Sequence, residues 1–232
     1  MAYENATLIS VIDEGYDKNI TGVFSATKRK GEWIKTSPEE FREKVKNLAL
    51  GLLELGVKPG DRVSLHSENS TEWLICDQAI LSIGAVVVPI YTTQPGDQIK
   101  YILENSECHV HIVSNDEVFA DTKPLIKAVE NVKAIITIQG SSHKKLKNFE
   151  DVIELGKASG GDIEAYRSKV KPDDLATLIY TSGTTGVPKG VQLTHNNIAH
   201  NVLACLEHYP FDIEKNRGHN ILSYLPLAHM FE

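Results

Sequence analysis

The chain has 232 residues, 41% hydrophobic and 24% charged, as expected of a globular protein of one large or two small domains. Its formal net charge of -7 argues against nucleic acid as the main partner, because tracking a phosphate backbone needs clustered Lys and Arg. The short basic runs at 28–30 and 144–145 read as solvated loops. Three cysteines, Cys76, Cys108 and Cys205, stand far apart without a CxxC pair, which points to reduced thiols in a cytoplasm rather than a disulfide framework.

The opening MAYENATLISVIDEG has neither a basic start nor an apolar core, so no secretory signal is expected. Regular patterning begins near Thr21, where TGVFSA and GEWIKT read as a hairpin about the turn KRKG. Ser37-Pro38-Glu39-Glu40 then opens a helix, with Ser37 as cap, Pro38 in the first turn and Glu40 completing a capping box. Phe41, Val45, Leu48 and Leu52 follow at helical spacing, and Gly56 supplies a left-handed stop. RVSLHS reads as a strand, STEWLICDQAILSIG as a helix apolar nearly all round, and VVVPI as a strand buried on both faces. The longest apolar run, 79–90, is too short to span a bilayer, which needs about 20 residues.

The alternation continues through DQIKYILENS (helix), HVHIVS (strand), TKPLIKAVE (helix), AIITIQ (strand) and NFEDVIELGKAS (helix). Strands and helices in this order predict an α/β fold with a mostly parallel sheet flanked by helices. A polar stretch, SGGDIEAYRSKVKPDD, follows. Within it, 161–174 is expected to connect a first α/β subdomain, 1–160, to the start of a second segment, 175–232. LATLIY and GVQLT read as strands, HNNIAHNVLACLEH as a helix that Thr194 can cap, and NILSYL as a final strand.

Between LATLIY and GVQLT lies TSGTTGVPKG, 181–190, with four hydroxyl residues, three glycines and one lysine. Such a run builds no core. It follows a buried strand, where open α/β sheets bind ligands. Glycines let successive N–H groups converge on an anion, hydroxyls add uncharged donors, and Lys189 adds a mobile positive charge. Together these describe a polyphosphate site. A plain linker rich in Gly, Ser and Thr is the bland alternative, but this run is short and bounded by strands. It is no Walker A loop, since Pro188 stands where the second glycine belongs and Gly190 follows the lysine; the Rossmann glycine pattern is absent too.

YTSGTTGVPKGVQLTHNN resembles the phosphate-loop signature of the adenylate-forming (AMP-binding) superfamily, which includes acyl-CoA synthetases, luciferases and peptide-synthetase adenylation domains. LGVKPGDRVSLHSENSTEWLICDQAILSIGAVVVPIY and LSYLPLAHMFE are similar to its long-chain fatty acyl-CoA synthetase branch. The first twenty residues and the stretch 116–171 carry little of the resemblance. It implies that the chain is the N-terminal portion of the large domain of such an enzyme. The reaction implied has two steps. A fatty carboxylate attacks the α-phosphorus of ATP to give acyl-AMP and pyrophosphate, and the thiol of coenzyme A then displaces AMP. Thr181, Ser182, Gly183, Thr184, Thr185, Gly186 and Lys189 would bind the β and γ phosphates, and Thr181 would help hold Mg2+. His229, in LPLAHMFE, would orient substrate or the α-phosphate.

The adenine and ribose contacts and the catalytic lysine of that family have no counterpart up to Glu232, so a longer enzyme is expected and the 232 residues alone are expected to be inactive. A stand-alone binding or scaffold domain on the same fold is the alternative, and an ordinary NTPase a weaker one. Long acyl chains partition into lipid, which makes peripheral contact with a membrane one expectation. An open sheet edge makes self-association another. Other histidines draw less interest. Alternation sets Cys108 on the face opposite His109 and His111, so the three are not expected to chelate zinc together. His195 and His200, five apart on a helix, are poorly spaced for one ligand face, and a capping or bracing role is expected of His195.

Overall fold

The computed structural model describes residues 6–18, 22–126, 129–181, 187–208 and 220–228. Its first element is a helix that the sequence reading passed over, α1 (Leu8–Lys18). Leu8, Ile12 and Tyr16 recur at i, i+4 and i+8, and Thr7 and Ser10 cap each other, the Ser10 N–H donating to Thr7 Oγ1 at 3.2 Å. The expected hairpin follows as β1 (Ser25–Arg29) and β2 (Glu32–Thr36), antiparallel, with Lys30 and Gly31 at φ 50 and 90 as a primed turn requires.

α2 (Pro38–Glu54) starts where expected, the Glu40 N–H donating to Ser37 Oγ at 3.1 Å. The Glu40 carboxylate meets Lys44 at 3.1 Å. The helix ends in a Schellman motif: Gly56, at φ 89, donates to the Leu53 carbonyl and Val57 to that of Leu52.

β3 (Arg62–His66), α3 (Thr71–Ser82), β4 (Val86–Ile90), α4 (Gly96–Asn105), β5 (Cys108–Val113), α5 (Asp116–Ile126), β6 (Ala134–Thr137), β7 (Lys147–Asn148) and α6 (Phe149–Ser159) follow in order. α5 differs from expectation: it begins at Asp116, where TKPLIKAVE had suggested Thr122. Asn115 is the reason, since its side-chain oxygen accepts the Val118 N–H at 3.0 Å and supplies the start signal. Residues 161–174 form one short helix, α7 (Glu164–Arg167), before β8 (Leu175–Thr181), β9 (Lys189–Thr194) and α8 (His195–His208).

Seven strands form one sheet in the order β7-β6-β5-β3-β4-β8-β9, parallel throughout except for β8 against β9. Apolar residues of α2, α3 and α6 cover one face over Val63, Leu65, Val87, Val110 and Ile112. Those of α4 and α5 cover the other. α2 and α6 touch so closely that a Cβ on Gly156 would lie 1.9 Å from the Asn47 carbonyl oxygen. All five residues of β4 are buried, as an all-apolar central strand should be.

Two expectations fail. NILSYL is no strand over its described residues: 220–225 run without regular structure, with Ile221 83%, Leu222 68% and Tyr224 77% exposed. Apolar side chains alone do not make a strand without a neighbour to complete the ladder. Cys108 is also misplaced by simple alternation. Arg62 pairs with Cys108 but Val63 with Val110, so His109 is the extra residue of a β-bulge. Cys108 thereby joins the face that carries Ser64 and His111, with its Sγ 3.0 Å from Ser106 Oγ. Among the described residues no group of three or more His, Cys, Asp or Glu could hold a metal ion, and no helix is long and apolar enough to cross a membrane.

Candidate functional site

The connection after β4 leads through α4 to β5, on one side of β4, whereas β8 turns to β9 on the other. Neighbouring strands whose exits diverge leave a crevice beyond their carboxyl ends, the usual ligand position in such sheets. The hairpin β8–β9 stands there. Its last cross-strand pair is Thr181↔Lys189, and both side chains are exposed. Val187 is also exposed, while Pro188 is buried. Ser182, Gly183, Thr184, Thr185 and Gly186, and likewise His229, lie outside the described residues.

The pair behind Thr181↔Lys189 is Tyr180↔Gly190. The Tyr180 ring lies across Gly190, where a Cβ would meet Cζ at 3.1 Å and the hydroxyl oxygen at 3.4 Å. The Tyr180 hydroxyl donates to Asn105 Oδ1 at 2.7 Å, at the end of α4, and the ring meets Tyr101 edge-on at 6.4 Å. Burial pushes the Tyr180 hydroxyl pKa up to about 12, so it remains a donor. Among the described residues Lys189 forms no ion pair.

The other obvious anion binder nearby is already used. α8 begins six residues after Lys189, at the far end of β9, about 20 Å away at strand rise. Its first N–H groups are taken: His195 donates to the Asp174 carbonyl at 3.0 Å and Asn196 to that of Pro172 at 2.8 Å. Thr194 caps the helix as expected, accepting the Asn197 N–H at 3.2 Å. The His195 side chain is fully buried and its pKa falls to about 4, chiefly through burial, which suits a bracing role better than chemistry. His111 is likewise buried, its Nδ1 2.7 Å from Ser64 Oγ, and burial with the neighbouring His66 lowers its pKa to about 3.

Asn69 was not singled out by its sequence. Its amide donates to the Leu225 carbonyl at 2.6 Å and to Ser223 Oγ at 3.3 Å, and its oxygen accepts the Leu227 N–H at 2.8 Å. It thus ties the segment leading to residue 229 to the turn after β3, on the same edge of the sheet as Thr181. The side-chain hydrogen bonds of Tyr180, Asn105 and Asn69 left no local signal, because their partners lie 75 or more residues away.

Magnesium held by protein alone would need carboxylates. The described residues assemble no such cage, and Thr181 offers one neutral oxygen. A neutral hydroxyl of this kind is compatible with an ion carried on phosphates rather than caged by protein.

The family model for AMP-binding enzymes matches residues 18–232. Long-chain-fatty-acid–CoA ligase FadD15 of Mycobacterium bovis is 37% identical over 201 residues, covering 86% of this chain and 33% of that protein. Long-chain-fatty-acid–CoA ligase ACSBG2 of Xenopus laevis is 30% identical over 228 residues, covering 97% and 31%. The chain thus spans about a third of the length of the curated relatives it matches. Among solved structures, a long-chain-fatty-acid–CoA ligase of Archaeoglobus fulgidus matches with TM-score 0.71 at 25% identity, over 88% of this chain and 39% of that one. The adenylation domain of a carboxylic acid reductase of Segniliparus rugosus, solved with AMP and a co-purified carboxylic acid, matches with TM-score 0.73 at 21% identity, over 96% and 41%.

Proposed function

Since the chain belongs to the AMP-binding enzyme family, we propose that it forms the N-terminal part of a fatty acid–CoA ligase and that its β8–β9 hairpin binds the β and γ phosphates of ATP. The observation that carries this reading is the exposed Thr181↔Lys189 pair at the carboxyl edge of the sheet, bracketing the donor-rich run 182–186. A carboxylate resists attack because it is anionic and its oxygen leaves poorly. In the proposed reaction a carboxylate oxygen bonds to the α-phosphorus, the bond to the β-phosphate oxygen breaks, and pyrophosphate leaves with the electron pair. The coenzyme A thiol then loses its proton, sulfur bonds to the acyl carbon, and AMP leaves.

The work of this chain's residues is electrostatic. Charge gathers on the departing pyrophosphate, and donors already in place stabilise it without reorganising. Lys189 contributes its ammonium, and the hydroxyls and N–H groups of 181–186 complete the set. Thr181 would add one oxygen to the magnesium that ATP brings. His229 is proposed to orient the acyl carboxylate or the α-phosphate, and the Asn69 contacts to 223–227 support that placement. Medium to long aliphatic acids are the proposed substrates. A phosphate loop without a nucleoside pocket has few bonds to set against association costs of roughly 4–15 kcal/mol, so residues 1–232 alone are proposed to be inactive.

The test is to incubate the native gene product, and separately residues 1–232, with ATP, magnesium, palmitate and coenzyme A, and to measure AMP and pyrophosphate. The expected result is palmitate-dependent release of both by the native product and none by 1–232. Binding of ATP by the native product without turnover of any acid would favour a stand-alone binding domain and overturn the enzyme reading.

A further inference from the structure

The phosphate contacts proposed for Thr181 and Lys189 depend on where the hairpin holds them, and the described residues contain one device that does so. Tyr180 sits one residue before Thr181, and its cross-strand partner Gly190 sits one residue after Lys189. The ring lies close over Gly190: an added Cβ would meet Cζ at 3.1 Å and Cε2 at 3.4 Å, so a side chain there would press on the ring. From there the hydroxyl reaches outside the hairpin to Asn105 Oδ1, 2.7 Å away at the carboxyl end of α4. Tyr101, one turn earlier on α4, closes edge-on at 6.4 Å. α4 itself is seated on the sheet by Ile99, Ile102 and Leu103, all buried.

A hairpin whose outer strand is a sheet edge has no strand beyond it to fix its inclination, and among the described residues β9 is the last strand in the order. One side chain that spans both strands and bonds to a seated helix removes that freedom. We infer that Tyr180 is a positioning residue for ATP binding: through Gly190 and Asn105 it fixes the Thr181↔Lys189 pair against α4, so that the Lys189 ammonium and Thr181 hydroxyl meet the phosphates in place. This rests on the phosphate reading of the hairpin given above. The tyrosine touches no substrate. Its contribution is preorganisation, which lowers the ordering cost of binding.

Three variants separate the parts. Tyr180→Phe keeps the ring over Gly190 and removes the bond to Asn105; Asn105→Ala removes the acceptor; Gly190→Ala pushes the ring away. In the native gene product, amide hydrogen exchange reads the clamp, and the Michaelis constant for ATP, from palmitate-dependent ATP–pyrophosphate exchange, reads its purpose. For Tyr180→Phe and Asn105→Ala the expected results are exchange about tenfold faster at 178–181 and 189–192, about tenfold higher KM for ATP, and unchanged KM for palmitate and thermal midpoint. The double variant is expected to match either single one, because both break the same bond. Gly190→Ala is expected to move the same readouts in the same direction.

A role in stability alone would lower the midpoint and the active fraction without moving KM for ATP, and that result overturns the inference. So does unchanged amide exchange in Tyr180→Phe. If Lys189→Ala raises KM for ATP and the Tyr180 and Asn105 variants do not, the phosphate reading stands and the positioning role falls. If the wild-type product shows no exchange with any acid, the phosphate reading falls, and the inference with it.

Discussion

The parallel body of the sheet and the β8–β9 edge solve opposite problems with similar residues. In β3, β4 and β5 nearly every side chain is buried, and polar ones are absorbed: Ser64 against His111, and Cys108 against Ser106 of the preceding turn. At the edge, Thr181, Lys189, Val191 and the α8 residues Val202 and Leu206 face outward. Ser64 and His111 are thus buried in one region, while Thr181 and Lys189 are exposed in the other. Residue type does not decide which; position in the strand order does. The body supplies stability and the edge supplies donors, so substitutions should divide cleanly between loss of fold and loss of phosphate contacts.

The largest effect should come from the body. Gly156→Ala forces a methyl against the Asn47 carbonyl, where α2 and α6 have no room. Overpacking of this kind costs about 3 kcal/mol or more. Urea unfolding should show the loss in the midpoint, and an unchanged midpoint would mean that the two helices are not so close.

Lys189→Ala probes the edge. Loss of a charge-assisted contact should weaken ATP use by about 1.5–3 kcal/mol, with urea stability unchanged within about 0.5 kcal/mol. A matching loss of stability would erase the division between the two regions.

Buried titratable groups in both regions give a smaller effect with a definite sign. His111 and His195 have folded pKa values of about 3 and about 4, below the ordinary imidazole value, so the unfolded chain binds protons that the folded one refuses. Their effect is absent above about pH 6.5, and stability falls as pH drops from there toward 3. Asp77 acts in the opposite direction. Burial raises it to about 7, despite a hydrogen bond from Gln78, so the stability it contributes is present below about pH 4 and lost as pH rises through 7. Asp77→Asn should therefore stabilise by about 1 kcal/mol at pH 8 and by much less at pH 4, as read from denaturation at the two pH values. Equal effects at both would show that the carboxyl is solvated.

The smallest effect concerns thiols. Cys205 is exposed, while Cys76 and Cys108 are buried, with burial raising both pKa values, the latter to about 11. A maleimide should label one thiol in the folded protein without loss of stability and three in urea.

What was legible in the sequence was what is decided locally. Ser37, Pro38 and Gly56 announced the ends of α2, the KRKG turn announced the first hairpin, and VVVPI announced a strand covered on both faces. α1 was legible too, in the spacing of Leu8, Ile12 and Tyr16, but its polar surroundings hid it. The bulge at His109 was not, because nothing in HVHIVS marks where the ladder with β3 slips. NILSYL failed for the converse reason: its composition suits a strand, but no described strand lies beside it. The run 181–190 stood out because no core explains its composition. The Tyr180–Asn105 bond beside it and the Asn69 bonds to 223–227 act across long sequence separations and needed the fold to be seen.

The central claim is that this chain contributes the phosphate-binding hairpin of a fatty acid–CoA ligase. The most direct measurement is ATP–pyrophosphate exchange by the native gene product across an acid panel, with wild type and Lys189→Ala compared. The account predicts exchange that requires palmitate or a similar aliphatic acid and that falls by about 10- to 100-fold in kcat/KM for ATP in the variant. Exchange driven by amino acids or aromatic acids but not palmitate, or exchange indifferent to Lys189, would contradict it.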